Sequence, residues 1–152
     1  MPTRDEIDAI AWRTLHAKPK LALAEARGTR ARNYLQLEEL LQRGVDFEHA
    51  WSDFLHAFYD YKDASFFTYP SPPSLSIQWQ AVLAGAAEWL SSEFSLPHPT
   101  WTDNPKYFLD KPWDPWEEFG LQIRNWDERL ARCPEAFRKR NISFESRNLI
   151  AL

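Results

Sequence analysis

Residues 46–61, DFEHAWSDFLHAFYDY, carry the clearest helical pattern in the chain. Apolar residues recur there every three or four positions, which is the spacing that places side chains on one face of an α-helix. Asp46 stands directly before this pattern and is suited to cap the amino terminus of a helix. The stretch therefore predicts an amphipathic helix with an aromatic face. Its apolar positions are Phe47, Ala50, Trp51, Phe54, Leu55, Phe58 and Tyr59.

Similar spacing on both sides of this stretch predicts further helices. Residues 5–17 and 34–44 each place apolar side chains on one face, and a glycine favours the end of the second helix. Residues 77–94 form another apolar stripe that stops before a pair of prolines. Shorter helices are expected at residues 127–131 and after Pro134, which suits a first helical turn. We therefore expect an all-α, mainly helical fold of about four to six helices.

Two proline-rich segments interrupt the helical pattern. Proline cannot occupy a helix interior, so residues 65–74 are expected to form an extended surface loop. Residues 97–116 contain five prolines interleaved with six large apolar side chains. That composition cannot pair as a central strand, yet it is too aromatic for a free linker. We expect this segment to form an irregular Pro/Trp-rich wrap that packs on the helices.

Length and composition fit one helical domain. The chain has 152 residues, of which 44% are hydrophobic, and a chain of that size buries about two-thirds of its unfolded surface. We expect a single domain over residues 1–152, in which residues 1–44 could form a separable helical arm. Aromatic residues make up 15% of the chain, which is more large amphipathic surface than such a core usually needs. Some of them are therefore expected to face a partner.

The cysteine content indicates the cellular compartment of the protein, and the charge distribution indicates the class of its partner. The single cysteine, Cys133, cannot form an intramolecular disulfide, which fits a reducing compartment. Because no signal-peptide pattern or membrane span is visible, we expect a cytoplasmic protein without a membrane partner. The net charge of −4 is uneven, since residues 46–118 contain three Lys or Arg and twelve Asp or Glu. Such an acidic middle would repel nucleic acid and attract a basic protein surface.

His49, Asp53 and His56 have the spacing of metal ligands on one helix face. The alternative is that they form the solvated face opposite the aromatic stripe. No HExxH motif or second ligand cluster accompanies them, so the solvated face is favoured and neither a metal nor a cofactor is predicted. Arg43 and His49 loosely resemble the arginine–histidine spacing of helical RNA-cleaving domains, but Gly44 between them disfavours a rigid site.

Other patterns for catalysis or nucleic-acid binding are weak. Cys133 has no basic partner close in sequence, and the four glycines do not cluster into a phosphate-binding loop. We therefore expect no enzymatic activity. Arg27, Arg30 and Arg32 form a basic cluster that could touch phosphates. Two alternatives stay open: a DNA-binding autoregulator that uses residues 1–44, and a helical metal-dependent or RNA-cleaving enzyme.

Three segments in the carboxyl-terminal part share a pattern with a group of small bacterial proteins. They are LPHPTW at residues 96–101, FLDKPW at residues 108–113 and PEAFRKRNISF at residues 134–144. Over residues 46–152 the chain resembles antitoxin-like proteins that are encoded beside nucleotidyltransferase-type toxins, although residues 117–126 lengthen the usual link. The resemblance implies a non-catalytic domain that neutralises such a toxin by direct binding.

The residues that would bind this partner are predicted from side-chain chemistry. Protein interfaces draw most of their binding energy from Trp, Tyr and Arg anchors. The predicted partner-binding residues are Trp113, Phe137, Arg138, Lys139 and Arg140. The alternative for the aromatic residues is burial beneath the wrap, which leaves the three basic residues and the acidic middle as the better candidates for exposed contact.

Overall fold

The computed structural model describes residues 30–149, which form an all-α fold as predicted. The five α-helices of this part are α1 (Tyr34–Gln42), α2 (Phe47–Tyr61), α3 (Ile77–Glu93), α4 (Trp126–Ala131) and α5 (Glu135–Arg138). Its 3₁₀-helices are Ala64–Phe67, Thr100–Asp103, Pro105–Tyr107, Pro115–Phe119 and Ser146–Leu149. None of these helices has the length and apolar content needed to cross a bilayer. The helix predicted at residues 5–17 lies outside the described residues.

Side-chain caps explain where the three longest helices begin. Asn33 accepts a hydrogen bond from the Gln36 amide at 2.7 Å, and Ser76 accepts one from the Trp79 amide at 3.3 Å. Asp46 caps α2 through the amide of Glu48, as its position in the sequence predicts. Each cap satisfies a backbone N–H group that has no partner inside the helix. The predicted boundaries of α1, α2 and α3 therefore agree with the structure to within two residues.

The aromatic face of α2 forms the centre of the core. Phe54 and Phe58 are fully buried, and the Phe54 ring centroid lies 5.2 Å from that of Tyr34 on α1. The Tyr34 hydroxyl donates to the Leu83 carbonyl of α3 at 2.8 Å, so one side chain joins all three helices. Burial raises the pKa of Tyr34 well above its usual value. Residues 34–42 thus belong to this core. The rest of the predicted arm, residues 1–29, lies outside the described part of the chain, and its separability stays a prediction.

The prediction of an extended surface loop at residues 65–74 is wrong for its first part. Ala64–Phe67 forms a 3₁₀ turn, and both Phe66 and Phe67 are buried in the core. The indole Nε1 of Trp101 donates to the Phe67 carbonyl at 2.7 Å, which fixes the turn beneath the wrap. The physical reason is that burying two adjacent phenylalanines is more favourable than exposing them, whereas the helix-breaking prolines come later.

The wrap at residues 97–116 packs on the helices as predicted. Tyr107 and Trp113 are buried within it. Its end is joined to the carboxyl-terminal run by an isolated parallel bridge, in which the Trp113 amide donates to the Asn141 carbonyl at 2.9 Å. The Ser143 amide donates to the Trp113 carbonyl at 2.8 Å. These bonds hold the wrap against the segment that follows α5.

Phe137, predicted as a partner-binding residue with burial as the alternative, is a core residue. Its side chain is fully buried against α3 at Gly85. A Cβ atom added at Gly85 would lie 2.7 Å from Phe137 Cδ1, closer than real Cβ contacts allow. The absence of a side chain at Gly85 therefore lets α5 approach α3 closely enough to bury the ring.

Trp113 and Arg140 are also buried, which corrects their prediction as exposed contact residues. The Trp113 ring lies edge-on to that of Trp79, with centroids 5.7 Å apart. Arg140 is 0% exposed and donates from Nη1 to the Ala136 carbonyl at 2.6 Å and from Nη2 to the Thr102 carbonyl at 2.7 Å. The physical reason for the burial of Arg140 is that the interior offers it carbonyl acceptors and a carboxylate.

Candidate protein-binding site

Residues 115–121, here called the aromatic turn, are shaped by their own sequence. Asp114 accepts a hydrogen bond from the Trp116 amide at 2.8 Å, and Glu117 accepts one from the Asp114 amide at 3.1 Å. These reciprocal bonds form a capping box at the start of a one-turn 3₁₀-helix. Gly120 ends the turn with a φ of 79°, which favours glycine. Local chemistry therefore fixes the backbone of the aromatic turn.

The inward side of the aromatic turn is anchored to two helices. Glu118 is buried and accepts a hydrogen bond from Trp79 Nε1 of α3 at 3.0 Å. Asp114, buried at the start of the turn, pairs with Arg129 Nη1 of α4 at 3.1 Å. Because hydrogen bonds to charged groups are stronger than those between neutral groups, these contacts hold the turn firmly.

The outward side of the aromatic turn exposes large apolar side chains. Trp116, Phe119 and Leu121 are 58%, 62% and 53% exposed. The ring centroids of Trp116 and Phe119 lie 5.6 Å apart. Residues three apart on a 3₁₀-helix share a face, so the two rings form one outward surface. Exposed apolar surface of this kind is typical of protein-binding sites.

Charged side chains flank the aromatic turn, and acidic ones outnumber basic ones. Over residues 110–128 the exposed or half-buried carboxylates are Asp110, Glu117, Asp127 and Glu128, and the exposed cations are Lys111 and Arg124. Of these six residues, all but the half-buried Glu117 are exposed. The surroundings of the turn therefore carry a net negative charge, which attracts a basic surface.

An open cleft of about 290 Å³ is lined in part by Trp113, the residue that packs against Trp79. Its lining residues are Gln78, Leu109, Asp110, Lys111, Pro112 and Trp113. Trp79 packs against Trp113 and also binds Glu118, so one side chain connects the cleft with the aromatic turn.

The residues predicted to bind a partner do not share one surface. Arg138 and Lys139 are exposed, whereas Trp113, Phe137 and Arg140 are buried. Lys139 Nζ lies 2.7 Å from Glu88 Oε2, so its charge is already paired. The binding roles of Arg138 and Lys139 stay predictions.

The spacing of His49, Asp53 and His56 does not produce a metal-like cluster within residues 30–149. His49 is exposed, and its Nδ1 lies 2.6 Å from Asp46 Oδ2. Among the described residues, ligand atoms come within 4.8 Å of one another at a different group, which consists of Glu88, His98 and Asp103. Helix periodicity alone could not reveal that group, because its members come from α3 and from the wrap.

The Glu88 group is dominated by ion pairs. His98 Nε2 lies 2.9 Å from Asp103 Oδ2, and the two Glu88 oxygens contact Lys139 at 2.7 Å and Arg140 at 3.0 Å. Burial alone would raise the pKa of Glu88, but the hydrogen bonds and charges of Lys139 and Arg140 outweigh it, and the pKa is lowered. A cation bound there would have to displace Lys139 and lie beside Arg140. We therefore interpret the group as a structural network.

Cys133, the other candidate for chemistry, is a buried residue. Its thiol donates to the Arg129 carbonyl at 3.2 Å. Burial raises the pKa of Cys133, and the charge of Glu145 contributes in the same direction. A thiol with a raised pKa is mainly protonated at neutral pH and is a poor nucleophile.

Phe119 and Leu121 are exposed anchors that the sequence did not predict, and Trp116 was expected in the wrap. A usable signal was present in DPWEEFG at residues 114–120. This motif predicts a capped single turn, because proline follows aspartate, a glutamate stands three residues after the aspartate, and glycine ends the motif. The motif predicts the turn. The direction in which the Trp116 and Phe119 rings point depends instead on the contacts of Glu118 with α3.

Comparison of the chain with protein-family models, curated proteins and solved structures finds no match. The likeness to antitoxin-like proteins therefore rests on the three sequence segments that carry it.

Proposed function

We propose that this protein is a non-catalytic, protein-binding domain that acts as an antitoxin-like partner. It neutralises a nucleotidyltransferase-type toxin in the cytoplasm by direct binding. The observation that carries the binding role is the exposure of Trp116, Phe119 and Leu121 on a capped, anchored turn. The class of the partner comes from the resemblance of residues 96–101, 108–113 and 134–144.

The energetics of association favour such a turn as a binding element. Burying a large apolar side chain contributes about 1.5–3 kcal/mol, and the Trp116 and Phe119 rings are available together. A turn that is already ordered loses less conformational entropy on binding than a free loop does. The caps of Asp114 and Glu117 and the buried Glu118 thus make the exposed rings effective anchors.

The candidate catalytic groups in residues 30–149 support a non-catalytic role. Within these residues His49, Asp53 and His56 do not form a metal-ligand group, and the carboxylate of Glu88 pairs with two cations. The thiol of Cys133 is buried with a raised pKa. A metal-dependent or RNA-cleaving enzyme and a DNA-binding autoregulator through residues 1–44 stay alternative predictions.

Co-expression with a nucleotidyltransferase-type protein encoded beside this chain tests the proposal. We expect the wild-type chain to restore the growth of cells that produce the toxin, and the purified proteins to form a complex in size-exclusion chromatography. The Trp116→Ser/Phe119→Ser variant should lose both properties. The matched control is Leu35→Ser/Tyr69→Ser, which removes two exposed apolar side chains elsewhere. A toxin that the wild-type chain neither binds nor neutralises would refute the proposed function.

A further inference from the structure

We infer that the aromatic turn docks a basic amphipathic helix of the partner protein. This inference rests on the proposed function. It adds which surface of this protein binds the partner and what chemistry the bound segment of the partner has. The partner's helix would place its apolar stripe on Trp116 and Phe119, with Lys or Arg residues beside that stripe.

The spacing of the two rings fits a helix. The Trp116 and Phe119 centroids lie 5.6 Å apart. Side chains three or four residues apart on an α-helix are separated by about 5–6 Å. Successive apolar residues of one helical stripe can therefore each cover one ring. Helix-in-groove recognition uses anchors with this periodicity.

The charges around the turn select a basic segment. Asp127 and Glu128 are exposed on the first turn of α4, the helix whose Arg129 pairs with Asp114 at the start of the aromatic turn. With Asp110 and Glu117 they give four carboxylates against the cations Lys111 and Arg124. Rim charges of one sign steer an oppositely charged partner and make its association sensitive to salt.

The basic run at residues 138–140 is a weaker surface for an acidic partner. Arg140 is fully buried, and Lys139 already contacts Glu88. Arg138 is exposed and, within residues 30–149, forms no ion pair with a carboxylate. One such cation provides little selectivity compared with the exposed rings and carboxylates of the aromatic turn.

Two fluorescent peptides of about 14 residues, roughly four helical turns, test this inference. They share one leucine stripe, and their polar positions carry Lys in one peptide and Glu in the other. Fluorescence anisotropy with the full chain should show binding of the Lys peptide, weakened about tenfold or more by Trp116→Ser/Phe119→Ser. Leu35→Ser/Tyr69→Ser should bind as the wild type does. Equal affinity for both peptides, or no binding of the Lys peptide, would overturn the inference.

A charge variant that spares the rings makes the test specific. Asp127→Asn/Glu128→Gln should weaken binding of the Lys peptide roughly two- to fivefold at low salt and much less at high salt. Circular dichroism establishes that each variant is folded. Failure of the inference is distinguishable from failure of the proposed function. A toxin that binds the wild type but not Trp116→Ser/Phe119→Ser, together with equal affinity for both peptides, would contradict only the inference.

Discussion

Arg140 Nη2 lies 3.0 Å from Glu88 Oε1, which joins the segment after α5 to the carboxyl-terminal half of α3. The guanidinium also donates to two backbone carbonyls, and its carbon lies 4.6 Å from the centroid of the Phe108 ring. One buried cation thus contacts α3, the wrap and α5. The burial of Arg140 depends on the carboxylate of Glu88, because a buried charge without a counter-charge lowers the stability of the folded protein.

Replacing that carboxylate should destabilise the protein. Glu88→Gln keeps the shape of the side chain but leaves Arg140 buried without its counter-charge, so we expect the free energy of unfolding to fall by about 2–4 kcal/mol. Urea denaturation followed by circular dichroism measures the change. The control is Glu93→Gln, an exposed residue at the end of the same helix, which should change stability by less than about 0.5 kcal/mol. Equal stability of the two variants would contradict a structural role for the pair.

The same carboxylate predicts how stability depends on pH. The pKa of Glu88 in the folded protein is below its usual value of 4.5, so folding favours the ionised form. Its contribution is therefore fully present above the unfolded pKa and is lost as pH falls through the folded pKa. Between pH 7 and pH 3, measured by urea denaturation, the wild type should lose more stability than Glu88→Gln. Parallel pH profiles would show that the pKa of Glu88 is not lowered.

Gly85 provides a test of the close contact between α3 and α5. Gly85→Ala should destabilise the protein by about 1–3 kcal/mol, because its Cβ would lie 2.7 Å from Phe137 Cδ1, although alanine itself favours a helix. Phe137→Leu in the same chain should recover part of that loss by making room. Thermal unfolding of the single and double variants gives the coupling between the two sites. Additive effects would mean that the two residues do not clash.

Trp79 provides a test of the anchor beneath the aromatic turn. Trp79→Phe removes the indole donor to Glu118 and should cost about 1–2 kcal/mol. Hydrogen exchange followed by mass spectrometry should show faster exchange at residues 115–121. Trp89→Phe is the control, since Trp89 is also half-buried on α3 but makes no described bond to the turn. Unchanged exchange in Trp79→Phe would show that the bond to Glu118 is not needed to hold the turn.

The sequence predicted the parts of this fold that depend on local periodicity. The apolar stripe of α2 and the Asp46 cap lie within one helix, so both could be recognised from neighbouring residues. The burial of Arg140 could not, because its partners Glu88 and Thr102 are distant along the chain. A run of basic residues looks exposed until the fold brings a carboxylate and carbonyls to one of them.

The candidate site was hidden for a related reason. Sequence reasoning valued Trp113 and Phe137 as anchors by residue type, and residue type does not separate an interface aromatic from a core aromatic. Trp113 is buried against Trp79, whereas Trp116, three residues later, is 58% exposed on the aromatic turn. Tertiary contacts therefore determine which aromatic residues face outward.

The bridge between Trp113 and Ile142 also constrains when the protein can fold during its synthesis. The wrap is completed only when backbone groups at Asn141 and Ser143 pair with Trp113. A nascent chain that has emerged only to residue 139 contains the aromatic face of α2. It lacks the backbone groups that pair with Trp113 and the guanidinium of Arg140, both of which hold the wrap in place. The closure of the wrap by these contacts must therefore form after residues 140–143 have been translated.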